Sequence, residues 1–277
     1  VEKILRYYKG LRKIAEPIYT WQAAFGIDLR KFVRALHRLP YVIKEYHILR
    51  LQNKAVGSKC KLKLTMPAID DRYSAGGIAS GHYFHQDLLV ARKIFKRQPF
   101  KHVDIGSRID GFVSHVAVFR AIEVLDIRPL DAQIQNVTFK QSDLMNPAID
   151  LIDYCDSLSC LHALEHFGLG RYGDPIDIDG HMRGFDNFHK ILQPNGILYL
   201  SVPIGPDRID FNSHRVFSIK TILEMAKDRF ELIGFSYVDD NGDLNENVII
   251  ASSDDVGAFG CYYGCGIFEF RKLSSQR

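Results

Sequence analysis

The segment HVDIGSRIDG at 102–111 ends an apolar run on Asp104, turns at Gly106 and reaches Gly111 just ahead of another apolar stretch. Glycine permits both the sharp turn and the close backbone approach that a bound cofactor needs. Asp126 lies twenty residues beyond Gly106, at the end of the next apolar run, and Asp143 in QSDL follows the one after. A carboxylate at the first of these positions accepts from both hydroxyls of a ribose; one at the second accepts from an adenine amino group. Each acid alone is an ordinary strand-end cap. Three of them, each closing a successive strand, predict a nucleoside cofactor. The Gly-x-Gly-x-x-Gly fingerprint is absent, which sets NAD aside.

The block HALEH adds His162, Glu165 and His166. Placed in the first turns of a helix, positions i, i+3 and i+4 share a face and point into one cleft. Three readings stand. A histidine, foremost His166, is a general base that deprotonates a hydroxyl. Alternatively, Glu165 with His162 or His166 holds a divalent ion, Mg or Mn, that polarises vicinal hydroxyls. In the third reading the pair only orders a helix against the sheet. As a bare string, H-x-x-E-H is an inverted zinc-protease pattern, but that motif belongs on another fold. In DFNSHRVFS, Asn212, His214 and Arg215 form a loop that brings a second histidine, His214, over the same cleft. Tyr83 and Gln86, with His82 and His85, lie on a helix ahead of the first strand, within reach of a cofactor carboxylate. Arg171, Tyr172 and Asp174 sit on a Gly-rich loop suited to a sugar or phosphate.

Alternating elements must position these groups. Period-3.6 apolar spacing predicts a helix at 81–95, followed by a strand at 102–105, a helix at 112–119 and a strand at 121–125. Further strands are expected at 137–140 and 149–155, with a helix from about 161, a longer one at 180–191 and a strand at 195–203 opened by Asn-Gly. A helix at 219–229 and strands at 230–238, 247–251 and 266–270 complete the pattern. Strands alternating with helices imply a mostly parallel sheet covered on both faces, here with an antiparallel finish. Ahead of it, Ile4, Leu5, Tyr8, Leu11 and Ile14 recur helically until Pro17. A second helical run covers 28–36, and beyond Pro40 a third apolar-basic stretch covers 41–51. The expected organisation is a basic helical extension at 1–66, a loop-rich connection at 67–80 and a main domain at 81–277.

With these motifs in view, VDIGSRIDG, VLD, SDL, DSLSCLHALEH and LQPNGILYLSVP resemble the successive motifs of class I S-adenosylmethionine (SAM) dependent methyltransferases over about 81–271. GHYFHQDLLVARKI and DSLSCLHALEHFGLGRYGDPID are similar to a branch of that superfamily associated with surface-glycan gene sets. The resemblance implies a Rossmann-like sheet with an antiparallel last strand. It places Asp104, Gly106 and Gly111 at the methionine part of SAM, Asp126 at the ribose and Asp143 at the adenine. Ser107 and Leu144, inside the same motifs, join the cofactor set with Tyr83 and Gln86. The glycine loop departs from the pattern at Arg108 and Asp110, where many relatives carry small residues. The implied activity is O-methylation of a sugar or glycan hydroxyl. The alternatives are a metal-assisted methyltransferase for RNA ribose or a quinone-like molecule, and a non-catalytic SAM-binding partner protein.

At 277 residues the chain is about one large domain with an extension. Hydrophobic residues at 46% and charged residues at 25% fit a globular protein, and no apolar run approaches the ~18 residues that span a bilayer. Five cysteines, an odd number, favour a reducing, cytoplasmic setting over a disulfide framework. Cys261 and Cys265 form C-x-x-x-C rather than a zinc-ribbon spacing. Residues 1–66 hold fifteen Lys/Arg against four Asp/Glu, although the whole chain is only +3. Such a segment docks on the acidic remainder, on an anionic membrane surface at which the protein would be peripheral, or on RNA.

Overall fold

The computed structural model describes residues 19–69, 74–146, 151–250 and 257–274. Two compact units divide the chain, Val1–Ile78 and Ala79–Arg277. In the first, helix α1 (Leu29–Ala55) is capped by Asp28, whose side chain accepts from the Lys31 amide at 2.8 Å. A break was expected at Pro40, but Pro40 lies inside one continuous helix. Proline removes one amide bond to the preceding turn. No residue of α1 is buried, so water replaces that bond at little cost. The periodic stretch at 4–14 lies outside the described residues.

The second unit is built on an eight-stranded sheet. Its strands are β1 (His102–Ile105), β2 (Ile122–Asp126), β3 (Val137–Gln141), β4 (Cys155–Leu161), β5 (Leu192–Ile204), β8 (Phe230–Val238), β9 (Leu244–Asn245) and β10 (Gly264–Lys272). The spatial order is β3-β2-β1-β4-β5-β10-β8-β9. The first five pair in parallel, and β10 runs antiparallel to both β5 and β8. A separate hairpin joins β6 (Arg208–Asp210) to β7 (His214–Val216). This is the Rossmann-like sheet with a reversed late strand that the motifs predict.

Two apolar layers cover the sheet. Phe185, Phe188 and Ile191 of α4 (Gly180–Ile191) pack with Leu198 and Leu200 on one face. Leu89, Val90 and Ile94 of α2 (His82–Arg97) pack with Ile197 and Tyr199 on the other. Residues 196–204 of β5 are all buried, as expected for a strand covered on both sides. The helix expected at 112–119 is a π turn at Ile109–Val113 running into the single turn α3 (Ser114–Ala117). Helix α5 (Ile219–Ala226) is capped by Ser218, which accepts from the Thr221 amide at 3.1 Å.

The fourth strand differs most from the sequence expectation. It occupies Cys155–Leu161 rather than 149–155, of which 149 and 150 lie outside the described residues. Ser157 and Ser159 make this segment look too polar for a central strand, yet both are fully buried because neighbouring side chains take their hydroxyls. At 247–250 no strand forms, and the edge is the short β9 instead.

Candidate active site

Strand order reverses between β1 and β4, and open α/β sheets bind ligands at the carboxyl ends of their strands at such a point. Register puts Asp104 of β1 beside Ser159 of β4. Asp104 is fully buried and accepts from the Ser159 hydroxyl, from the Ser107 hydroxyl at 2.7 Å and from the Ser107 amide at 3.1 Å. Asp104 and Ser107 thus shape the glycine loop from beneath and do not line the cavity above it. Gly106 crosses the loop at φ +69°, its amide donating to the Leu125 carbonyl at 2.9 Å.

Burial raises the Asp104 pKa to about 7. Its unfolded value is about 3.9, so the folded chain binds the extra proton between the two. Stability from this group is full below the unfolded pKa and is lost as pH rises through the folded one. Asp104→Asn cannot ionise. Urea midpoints at about pH 5 and about pH 8 are therefore expected to converge in the variant relative to the parent chain.

A cavity of about 300 Å³ opens above the ends of β1, β2 and β4. Among the residues lining it are Gly106, Arg108, Asp126, Ser142, Asp143 and Leu144, together with Tyr83, His162, His166, Arg171, Tyr172 and Asp174. Asp126 is held by Arg128, whose backbone amide and Nε donate to Oδ1 at 2.8 and 3.0 Å while Nη2 donates to Oδ2 at 2.5 Å. With Nε also reaching Oδ2 at 3.2 Å, these contacts fill the carboxylate's acceptor sites, so a ligand hydroxyl at Asp126 must share or displace Arg128. The Arg128 guanidinium lies 4.6 Å from the centroid of the Tyr172 ring, joining the tip of β2 to the Gly-rich loop. Asp143 accepts from the Met145 amide at 2.9 Å, which fixes its carboxylate in the wall.

Beyond β4, the helix expected from about 161 is only a 3₁₀ turn, Leu164–His166. His162 has φ +52°, turning the chain sharply off β4. Its Nδ1 meets Glu165 Oε1 at 2.7 Å; a carboxylate only accepts, so Nδ1 carries the hydrogen. His166 Nδ1 meets the Ser213 carbonyl at 2.6 Å, which likewise assigns its hydrogen to Nδ1. The neutral ring then keeps its lone pair on Nε2, 3.7 Å from Glu165 Oε1. Burial lowers the His166 pKa, outweighing the neighbouring Glu165 charge. His166 is therefore a neutral base in the cavity wall with a carboxylate close enough to steady its protonated form. Arg171 donates to the same Ser213 carbonyl at 2.9 Å, and Asp174 accepts from the amides of Gly168, Gly170 and Tyr172, ordering the loop.

Several expected residues lie elsewhere. Gln86 is 1% exposed and turned into the core, where its carbonyl accepts from Ser201. Gly111 lies outside the cavity wall against Asp87. His214 is on β7, its Nδ1 2.8 Å from Ser213 Oγ and its Nε2 3.5 Å from Asp210, outside the cavity wall. Glu165 is fully buried behind the two histidines. For Glu165, His162 and His166 as one Mg or Mn site, Glu165 Oε1 is taken up by His162 while Oε2 has no partner among the described residues, and hard ions want oxygen-rich sets, so this group is a poor match for either ion. Arg215 is also buried, donating to the carbonyls of Phe167 at 2.6 Å and Ile178 at 3.1 Å, so it pins two loops together. Arg128 was missed. The only sign of it was its place two residues after Asp126.

A family model described as a Caenorhabditis protein of unknown function, DUF268, matches residues 119–253. No curated protein matches the chain. Solved structures similar to it include 1,6-didemethyltoxoflavin-N1-methyltransferase of Burkholderia thailandensis, with 1,6-didemethyltoxoflavin and S-adenosylhomocysteine bound. That match has 14% identity and a TM-score of 0.49, over 68% of this chain and 79% of the other. The N-methyltransferase NodS of Bradyrhizobium japonicum, in complex with S-adenosylhomocysteine, is similar at 12% identity over 70% and 89% of the two chains, TM-score 0.46. The cyclase SpnF is similar at 14% identity over 85% and 96%, TM-score 0.46. At this level the likeness concerns the course of the chain, and chemistry has to be read from the site.

Proposed function

We propose that the protein is a SAM-dependent O-methyltransferase acting on a hydroxyl of a sugar or glycan acceptor. The observation that carries this reading is that Gly106, Asp126, Asp143 and His166 line one and the same cavity. Asp126 would receive the ribose hydroxyls, Asp143 with Leu144 the adenine, and Gly106 the backbone approach of the methionine part. Bound SAM supplies an electrophilic methyl group. The chain's own task is then to hold an acceptor oxygen in line and remove its proton.

His166 Nε2 takes that proton, and Glu165 stabilises the resulting imidazolium while Ser213 holds the ring in its tautomer. The Arg128 and Arg171 guanidiniums, 4.6 and 5.3 Å from the Tyr172 ring centroid, stand with Asp174 as fixed polar groups that suit a hydroxylated acceptor. Radiolabelled-methyl transfer to a panel of sugars and nucleotide sugars tests the acceptor class, with phenolic quinone precursors and RNA as comparisons. Transfer to sugars alone supports the reading; transfer only to phenols or RNA replaces the acceptor; SAM binding without transfer to any of them favours a partner protein.

A further inference from the structure

Three elements bring soft donors together beside the cavity. His82 is the first residue of α2, His162 follows β4, and Cys265 lies near the start of β10. Their ligand atoms all lie within 4.8 Å of one another. The sequence separates them widely, so only the sheet order and the return of α2 over the strand ends assemble the group.

A second observation concerns His162 itself. Its side chain is 4% exposed, and among the described residues its Nε2 has no hydrogen-bond partner. Leaving a buried polar nitrogen unmatched is costly unless something occupies its lone pair. Meanwhile Nδ1–H is given to Glu165 at 2.7 Å. A carboxylate behind one ring nitrogen, with the other nitrogen unpartnered, is the arrangement that orients metal-binding histidines.

We infer that His82, His162 and Cys265 bind a borderline-soft divalent cation of the zinc type, with Glu165 positioning His162. Two nitrogens and a sulfur match the preferences of such an ion and not those of Mg or Mn. Tetrahedral Zn–N bonds of about 2.0–2.1 Å and a Zn–S bond of about 2.3 Å bring donor atoms to roughly 3.3–3.7 Å from each other. The donors must close by roughly 1–1.5 Å, and the His82 ring, stacked on His162 at 5.1 Å with 10° between the planes, must also turn out of that stack before both lone pairs meet one ion. His82 opens α2 directly after Gly81, whose φ is +87° and whose amide donates to the Gly242 carbonyl at 2.9 Å, so the His82 side-chain torsions and not a backbone hinge supply the movement. On binding, the Cys265 thiol releases its proton to solvent and the thiolate becomes the sulfur ligand. Three protein ligands leave one tetrahedral position open, and His162 is the ligand that also lines the cavity. The inference does not rest on the methyl-transfer reading.

The test is titration of the chelator-stripped full chain with Co(II), followed by displacement with Zn(II) under a chromophoric chelator. One equivalent of Co(II) is expected, with tetrahedral d–d bands and a thiolate charge-transfer band. Cys265→Ser should remove that band, His82→Ala should weaken binding about tenfold or more, and Glu165→Gln should weaken it about 10–100-fold. Cys60 is the exposed cysteine, and Cys60→Ser should change nothing. Absence of a stoichiometric site, or a charge-transfer band that survives Cys265→Ser and vanishes in Cys60→Ser, would overturn the assignment. Should Cys265→Ser lose its native circular dichroism, His82→Ala decides, because that half-buried helix-start position leaves the core intact; unchanged binding there also overturns it.

Discussion

Gly106→Ala is expected to abolish binding of S-adenosylhomocysteine and to lower the unfolding midpoint. The residue holds φ +69°, a left-handed conformation that costs an L-residue about 1–2 kcal/mol. An added Cβ would lie 2.8 Å from Ala163 Cβ, a contact with no flexible chain end to yield. Relieving that overlap costs roughly 1–3 kcal/mol more. The shift would part β1 from the turn that carries His162 and Ala163, both in the cavity wall. Gly111→Ala is the informative contrast. Its φ is negative, and its new Cβ comes 2.7 Å from the Asp87 carboxylate tip and not against a packed Cβ, so the effect should be smaller. Thermal melts and cofactor titrations of the two variants check this, and a Gly106→Ala chain that binds normally would show that the loop is not the cofactor's seat.

His166→Ala is expected to lower kcat about 10²–10⁴-fold while leaving cofactor affinity nearly unchanged. The ring's partners are the Ser213 carbonyl and the Glu165 charge, and neither Asp126 nor Asp143 is among them. Because burial depresses the His166 pKa, its neutral basic form persists to lower pH than for a free imidazole. The acid limb of kcat should therefore fall below the ordinary histidine range, and the limb should disappear in His166→Ala. Single-turnover rates across pH provide the measurement. Equal rates in both proteins would remove His166 from the chemistry and leave it an ordering role.

What the sequence made legible was local. Asp126 could be found because a strand, a turn and a fixed spacing lie within one βαβ unit, and Asp126 and Asp143 both stand in the cavity wall. Asp104 was found for the same reason, but its orientation is set by Ser159, which arrives from β4, 55 residues further along the chain. No local pattern encodes that. HALEH suggested one helical face with three side chains in a cleft. The positive φ of His162 and the 3₁₀ turn instead put His162 and His166 in the wall and Glu165 behind them. Strand β4 was displaced in the reading because its buried serines count as polar in any periodicity, although His102 and Asp104 satisfy their hydroxyls. Pro40 misled in the opposite sense, since a helix without buried residues absorbs a proline that a packed helix would not.

The most direct test of the central claim is calorimetric titration of the purified chain with S-adenosylhomocysteine, run beside Asp126→Ala. Asp126 lines the cavity at the end of β2 and is oriented there by the Arg128 guanidinium. Hydrogen bonds to a charged group contribute about 1.5–3 kcal/mol each. Binding in the micromolar range that weakens at least about tenfold in the variant is the predicted result. No binding by the parent chain, or equal affinity in Asp126→Ala, would contradict it.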